Sequence, residues 1–557
     1  MARSVFGLLD EAATHFPNRT ALKYKEKDVW KELNWREVRD RACAVASQLI
    51  ERGIQSGDRV VILSQTRFEW AIADLGILAA GGCTVPIYHS NIASDVAYIA
   101  QDCDARLAIV ENSLQAAKLP HLQQIRIDDL NPTITQEKEI RKRVAATKES
   151  DWATIIYTSG TTGNPKGACL THSNLLYEAE AIEEIELLSS SDVQLIFLPL
   201  AHVFARVMEI AWLKTAHVLC FAESVEAVVS NMKEIQPTFM AAVPRVYEKV
   251  YARVLVKARS GRYLKRQIAN WAFEKQKKPQ GLAWLLARYL VFSKIEQGFQ
   301  EMFGKRLRFF ISGGAPLNPE IGAFFKDAGV QILEGWGLTE TAAATCVNRP
   351  QQNRMGTVGQ PLPRTELRIA EDGEVEVRGP GVFQQYWNLP QQTAEAFKDG
   401  WFKTGDMGVI DPEGFLRITG RKKDIIITAG GKKIAPQKLE NALKAATSLI
   451  SQVLVFGDQK PYLIGLLTLD AQVVEGFAKR KGFSGNFEEL IGHPEVLRRI
   501  EQAIKRVNQG LSSFEQIKKF QILPQDFLVG EELTPTLKVK RGYCVQKFRT
   551  HIERLYR

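Results

Sequence analysis

Short apolar, β-branched runs alternate with amphipathic stretches through most of the first 420 residues. TIIYT (154–158) predicts a strand that runs into a glycine-rich loop. GACLTH (167–172) predicts a second strand, and SNLLYEAEAIEEI (173–185) a helix with Ser173 as its N-cap. QLIFLPL (194–200), AHVLCFA (216–222) and TFMAAVP (238–244) predict buried strands separated by helical segments. The stretch from Arg306 to Gly337, RLRFFISGGAPLNPEIGAFFKDAGVQILEGWG, predicts strand, glycine turn, helix and strand. Such alternation implies an α/β fold: a large N-terminal domain of α/β/α layers with mostly parallel sheets.

The pattern changes near residue 356. GTVGQPLPRTELRIAEDGEVEVRGPGV is rich in glycine and proline and alternates with period 2, which predicts a small antiparallel β unit. GFLRITGRKKDIIITAGG (414–431) then places a charged elbow, GRKKD, between two apolar strands. Beyond it come a helix (APQKLENALKAA, with Pro436 in its first turn), a hairpin (QVLVFGDQKPYLIGLLTLD) and amphipathic helices. A domain boundary is expected at the elbow. Residues 1–422 form the N-terminal domain and 423–557 a small mobile α+β C-terminal domain.

Composition adds limits. The chain has 557 residues, 45% hydrophobic and 24% charged, enough for more than one core. Neither a signal-peptide pattern nor a run approaching the roughly 18–20 apolar residues of a membrane span is present. The seven cysteines are scattered with no CxxC, and the eight histidines show no HxxxH spacing, which argues against a disulfide framework or a zinc site. Together these point to a reducing, cytoplasmic setting. The net charge of +10 is concentrated in residues 245–308, which hold 16 lysines and arginines against four glutamates. A basic block of this kind faces an anionic membrane, an anionic cofactor, nucleic acid or only water. No DNA- or RNA-binding pattern accompanies it, so no nucleic-acid partner is expected.

Candidate chemistry begins at YTSGTTGNPKG (157–167). A loop of small residues after a strand exposes backbone N–H groups, hydroxyls add donors, and a terminal lysine adds mobile positive charge. A polyphosphate is the simplest ligand for that set. The Walker A spacing fails, because Lys166 is followed by Gly167 and not by Ser or Thr. The segment instead resembles the signature of the adenylate-forming superfamily, which includes acyl-CoA synthetases, luciferases and peptide-synthetase adenylation domains. PLAHVFAR (199–206), VPRVYEKV (243–250), SGGAPLNPE (312–320), GWGLTET (335–341), WFKTGD (401–406), GRKKDIIITAGGKKIAPQKLE (420–440) and LTPTLKVKR (533–541) follow in that superfamily's order. Their wording is most similar to long-chain fatty acyl-CoA synthetases.

The resemblance implies a two-step, AMP-forming acid–thiol ligase using ATP, Mg²⁺ and coenzyme A, with acyl carrier protein as the alternative acceptor. It implies that Thr158, Ser159, Gly160, Thr161, Thr162, Gly163 and Lys166 hold the β- and γ-phosphates. Gly314, Ala315, Gly335, Trp336 and Gly337 would surround adenine, Asp406 the ribose hydroxyls, and Arg421 the ribose or a phosphate. Thr339 would touch the α-phosphate, and Glu340 with Thr158 would bind Mg²⁺. His202 would meet the acid's carboxylate, and Lys538 would bridge carboxylate and α-phosphate, with Lys540 as its competitor. Lys423 takes the hinge position, and Gly430 and Gly431 would line the thiol's path. Arg245 either orders the site's wall or pairs with Glu248. A further expectation is a peripheral contact of residues 245–308 with the inner face of a membrane; the oligomeric state is left open, a homodimer being one option. Two readings compete with the ligase: a γ-phosphotransferase, and a non-catalytic nucleotide-binding protein at a membrane.

Overall fold

The computed structural model describes residues 2–130, 133–158, 164–259, 263–276, 279–534 and 538–557. Two twisted sheets dominate the large lobe. In the first, the parallel strands Gln123–Arg126, Ala105–Val110, Arg59–Leu63, Cys83–Ile87 and Trp152–Thr158 are extended by two antiparallel strands, Lys166–Thr171 and Gln385–Tyr386. In the second, six parallel strands include the predicted Val193–Ile196, Val218–Phe221, Phe239–Ala242, Phe309–Ser312 and Gln331–Trp336.

One hydrophobic core joins both sheets. Helices Val5–His15, Trp35–Glu51, Phe68–Ala79, His172–Glu184 and Val203–Thr215 contribute to it, and side chains of both sheets close on them. These strands read as unbroken apolar runs because both faces are covered. Trp35 and Trp212 stack there at 4.9 Å, both fully buried. A second core covers the outer face of the nine-stranded sheet. It is dense in aromatic rings, with Tyr247, Phe292, Phe299, Phe310, Phe324 and Phe325 packed edge to face, tilted or stacked.

The predicted β unit is present: Glu366–Ile369, Glu374–Arg378, Trp401–Ile410 and Leu416–Arg421 pair antiparallel. The elbow Lys422–Asp424 is a single 3₁₀ turn. After it, the hairpin Ile450–Phe456/Leu463–Leu469 adds the parallel strand Ile517–Ile522. Helix Pro436–Ala446, with Pro436 at its first position, packs on that sheet. One expectation is corrected. Thr171, not Ser173, caps the helix His172–Glu184: its backbone is still extended and its hydroxyl accepts from the Asn174 N–H, with Asn174 reciprocating. Ser173 already lies in the first turn, its hydroxyl bonded to Thr171.

Candidate active site

Strand Trp152–Thr158 delivers Thr158 to the cleft, and Lys166 opens the strand that returns beside it. Thr158 lies opposite Lys166, and its hydroxyl donates to the Lys166 carbonyl at 3.4 Å. Ser159, Gly160, Thr161, Thr162 and Gly163 lie outside the described residues. The Lys166 ammonium sits 5.1 Å from the ring centre of Tyr386.

The second contributor is the loop after strand Gln331–Trp336. Gly337 leaves no room for a side chain: a Cβ there would come within 1.7 Å of the Ala343 carbonyl oxygen. Gly335 pairs with Val347 in the strand. Between them and Ala343, residues Thr339–Thr341 form one 3₁₀ turn, and Ala342 and Ala343 take φ of 55° and 104°. Left-handed alanines store strain, so tertiary contacts must hold this loop. Glu340 is gripped at both ends. Its carboxylate accepts from the Tyr386 hydroxyl at 2.7 Å and its carbonyl from the Phe383 N–H at 2.8 Å.

Asp406 and Arg421 face each other across the antiparallel pair of the β unit, with Arg421 Nε 2.7 Å from the carboxylate. The Trp336 indole N–H donates to the other oxygen at 2.8 Å. Trp336 is therefore fixed at its edge by Asp406, and it also packs against the small cluster of Cys346, Val375 and Leu416. Burial pushes the Asp406 carboxyl above its ordinary value, against the lowering pull of Arg421 and Trp336.

His202 caps helix Val203–Thr215: its Nδ1 accepts from the Phe204 N–H at 3.1 Å. That leaves the proton on Nε2. Burial, with the Lys538 charge behind it, pushes His202 down to about 3, so the ring is neutral at working pH. Gly313, in the SGGAPL turn, abuts the Phe204 ring, and Gly314 takes a left-handed φ of 80° beside exposed Ala315.

Lys538 comes from the small lobe. Its side chain lines an open cleft, reachable by water yet walled by protein. Burial by those walls, then repulsion from Arg421, pulls its ammonium down to about 8, while Asp406 and Glu340 act in the opposite sense. The competitor Lys540 is engaged elsewhere, donating to the Gly530 carbonyl at 2.8 Å. Of the two roles expected of Arg245, the pairing is seen: it lies 3.5 Å from Glu248, and it also donates to Ser451 Oγ of the small lobe at 3.0 Å.

Not every candidate converges here. Lys423 is exposed in the 3₁₀ turn at the elbow. Gly430 and Gly431 occupy an exposed turn of the small lobe, where Gly431 has a φ of 74° and bonds back to Thr428. Tyr386 was missed. It carries no charge, belongs to none of the recognised motifs, and its partner Glu340 is 46 positions away. Among the described residues no cluster of three metal-ligating side chains exists, and no helix is long and apolar enough to cross a membrane.

Comparison with known proteins places these residues in context. The chain matches the AMP-binding enzyme family over residues 9–387 and the AMP-binding enzyme C-terminal domain over 423–557. It is 40% identical to long-chain-fatty-acid–CoA ligase FadD15 of Mycobacterium bovis, over 95% of this chain and 93% of that protein. It is 31% identical to long-chain-fatty-acid–CoA ligase 1 of Cavia porcellus, over 94% and 82% of the two chains. Its fold resembles that of O-succinylbenzoate coenzyme A synthetase (MenE) from Bacillus subtilis in complex with AMP, with a TM-score of 0.74, 22% identity, and coverage of 96% and 97%.

Proposed function

The chain belongs to the AMP-binding enzyme family, and from that premise we propose that it is an ATP-dependent long-chain fatty acid–CoA ligase. A carboxylate oxygen attacks the α-phosphorus of ATP, giving acyl-AMP and expelling pyrophosphate. A CoA thiol then attacks the acyl carbonyl and expels AMP. The carrying observation is the meeting of charges in one cleft, where Lys538 of the small lobe faces Asp406, Arg421 and Glu340 of the large lobe.

Each residue has a role that its surroundings support. Asp406, oriented by Arg421 and Trp336, accepts the ribose hydroxyls, and the Trp336 face takes adenine against Gly314 and Ala315. Thr158 and Lys166, with the loop 159–163, hold the β- and γ-phosphates, and Thr339 meets the α-phosphate. Neutral His202 donates through Nε2–H to the acid. The Lys538 ammonium draws carboxylate and α-phosphate together and offsets the charge that grows in the transition state. Glu340 and Thr158 suit Mg²⁺: a single carboxylate and a hydroxyl fit a cation that completes its shell with phosphate and water oxygens. Bound there, Mg²⁺ neutralises phosphate charge.

The same lysine blocks the thiol while it sits in the cleft, so residues 423–557 must rotate about Lys423 before step two, bringing Gly430 and Gly431 to the thiol's path. Long-chain acids are the substrate class named for the relatives. The test is product analysis with acids of graded chain length, with CoA, with acyl carrier protein and with neither. AMP and pyrophosphate with a long-chain optimum are expected; ADP would overturn the reading.

A peripheral membrane contact is proposed through 245–308. Leu264, Leu282 and Tyr289 are 70%, 80% and 76% exposed within the basic stretch 245–308. Exposed apolar side chains within a net-positive stretch suit an anionic bilayer. Sedimentation with phosphatidylglycerol vesicles should carry the protein down at low salt and release it at high salt; the absence of salt-sensitive binding overturns the contact.

A further inference from the structure

We propose that Tyr386 is a positioning residue that couples the two phosphate-handling side chains, holding the Glu340 carboxylate with its hydroxyl and the Lys166 ammonium with its ring. The proposal rests on the ligase reading of the cleft. Its geometry is that of one side chain with two different grips. The hydroxyl donates to Glu340 Oε1 at 2.7 Å, and the ring centre lies 5.1 Å from Lys166 Nζ. A hydrogen bond to a carboxylate is strong for its kind, and a cation over an aromatic face is attracted to the ring's negative quadrupole. The two grips act on residues from different parts of the chain, so neither the Thr339–Thr341 turn nor the Lys166 strand can shift without moving Tyr386.

Tyr386 is itself held from every side. Strand Gln385–Tyr386 pairs with the strand beginning at Lys166, with Tyr386 opposite Ala168. The next residue, Trp387, donates its N–H to the Gly167 carbonyl at 2.7 Å and its indole N–H to the Asp102 carbonyl at 2.9 Å. The Tyr386 N–H donates to Thr393 Oγ1 at 3.0 Å, and Phe383 packs edge-on against its ring at 4.7 Å. Phe383 also bonds the Glu340 carbonyl. Residues 383–387 therefore stitch the strained loop carrying Glu340 to the stem of the phosphate loop. Burial and the nearby Glu340 raise the Tyr386 hydroxyl above its ordinary range, so it stays a donor. A fixed separation between a Mg²⁺-binding carboxylate and a phosphate-binding lysine matters because both must meet the same polyphosphate at once.

Two variants separate the grips. Tyr386→Phe keeps the ring and loses the hydroxyl; Tyr386→Leu loses both. Calorimetry of ATP binding at stepped Mg²⁺ concentrations is the primary readout. For Tyr386→Phe the Mg²⁺ needed for half-maximal enhancement of ATP binding should rise by about tenfold, with Mg²⁺-free ATP affinity unchanged. For Tyr386→Leu the Mg²⁺-free affinity should also fall by about threefold. Thiolation of supplied acyl-AMP should stay within about twofold in both, since no phosphate pair is held in that step. An unchanged Mg²⁺ dependence in Tyr386→Phe overturns the proposal. So does a loss of Mg²⁺-free binding, adenylation and thiolation in equal proportion with a lowered melting temperature, which marks Tyr386 as merely structural. Failure of the unaltered protein to bind ATP with Mg²⁺ would sink the ligase reading itself and Tyr386's role with it.

Discussion

Asp406–Arg421 and Asp74–Arg206 are both aspartate–arginine pairs of the large lobe, 2.7 and 2.8 Å long. The first opens onto the cleft: Arg421 is 42% exposed, Trp336 donates a hydrogen bond to Asp406, and the charge of Lys538 joins the pair. The second is sealed, with both side chains within 1% of full burial and the guanidinium 5.5 Å from the Trp70 ring. Glu209, one turn further along, has both carboxylate oxygens buried without a partner among the described residues; burial, then Asp74, pushes it well up, so it is neutral. Equal lengths thus conceal different work. A pair at a cleft can trade partners because its arginine half already reaches water, even though its aspartate is only 4% exposed. A sealed pair cannot trade partners and serves as a peg. The peg is not remote from chemistry: the Arg206 backbone N–H donates to the His202 carbonyl at 3.1 Å, in the first turn of the helix that His202 caps.

The largest effect expected comes from pulling the peg. Arg206→Leu strands the Asp74 charge in a dry core, which costs about 3–5 kcal/mol. Urea unfolding followed through tryptophan fluorescence should show the midpoint of the large lobe falling steeply, and Asp74→Leu added to Arg206→Leu should restore most of it. If the single variant unfolds like the unaltered protein, the two pairs do not differ as argued. Next in size is Lys538→Ala, which removes the third charge that only the open pair receives. Adenylation should fall by roughly 10²–10³, read as pyrophosphate–ATP exchange, while thiolation of supplied acyl-AMP persists. Equal loss of both half-reactions would contradict a role confined to step one. Smaller again, Asp406→Asn should weaken ATP binding by about ten- to thirtyfold, as a charged acceptor becomes a neutral one, with the unfolding midpoint nearly unmoved.

These pairs also mark what a sequence can disclose. Asp406 and Arg421 were readable because each lies in a contiguous motif, KTGD and GRKKD, and the β unit's alternation brings those motifs to adjacent strands. Lys538 was readable but ambiguous beside Lys540, until the Gly530 carbonyl claimed Lys540. Layering was legible because parallel strands covered on both faces must be continuously apolar. Asp74–Arg206 was not, since its halves are 132 positions apart and no local rule joins them. Thr171 shows the limit of local rules: Ser173 has the right chemistry for a cap, but the strand's extended backbone ends two residues earlier.

The smallest effect expected is the most discriminating, because it reads the cleft's electrostatics rather than its atoms. Lys538 is held near about 8 by burial and Arg421, against Asp406 and Glu340. The role proposed for it requires the ammonium, which predominates below that value and is lost as pH rises through it. Since kcat/KM reports the free enzyme, kcat/KM for adenylation should decline above about pH 8 by about tenfold per unit. With ATP bound, phosphate charge favours the ammonium, so the break in kcat should move to higher pH. His202, held down to about 3, should contribute no break between about pH 5 and 8. Lys538→Arg decides the assignment. A guanidinium stays charged throughout, so the variant should be slower at every pH but flat across 8. A break that survives in that variant belongs to another group and removes Lys538 from the role its neighbours suggest.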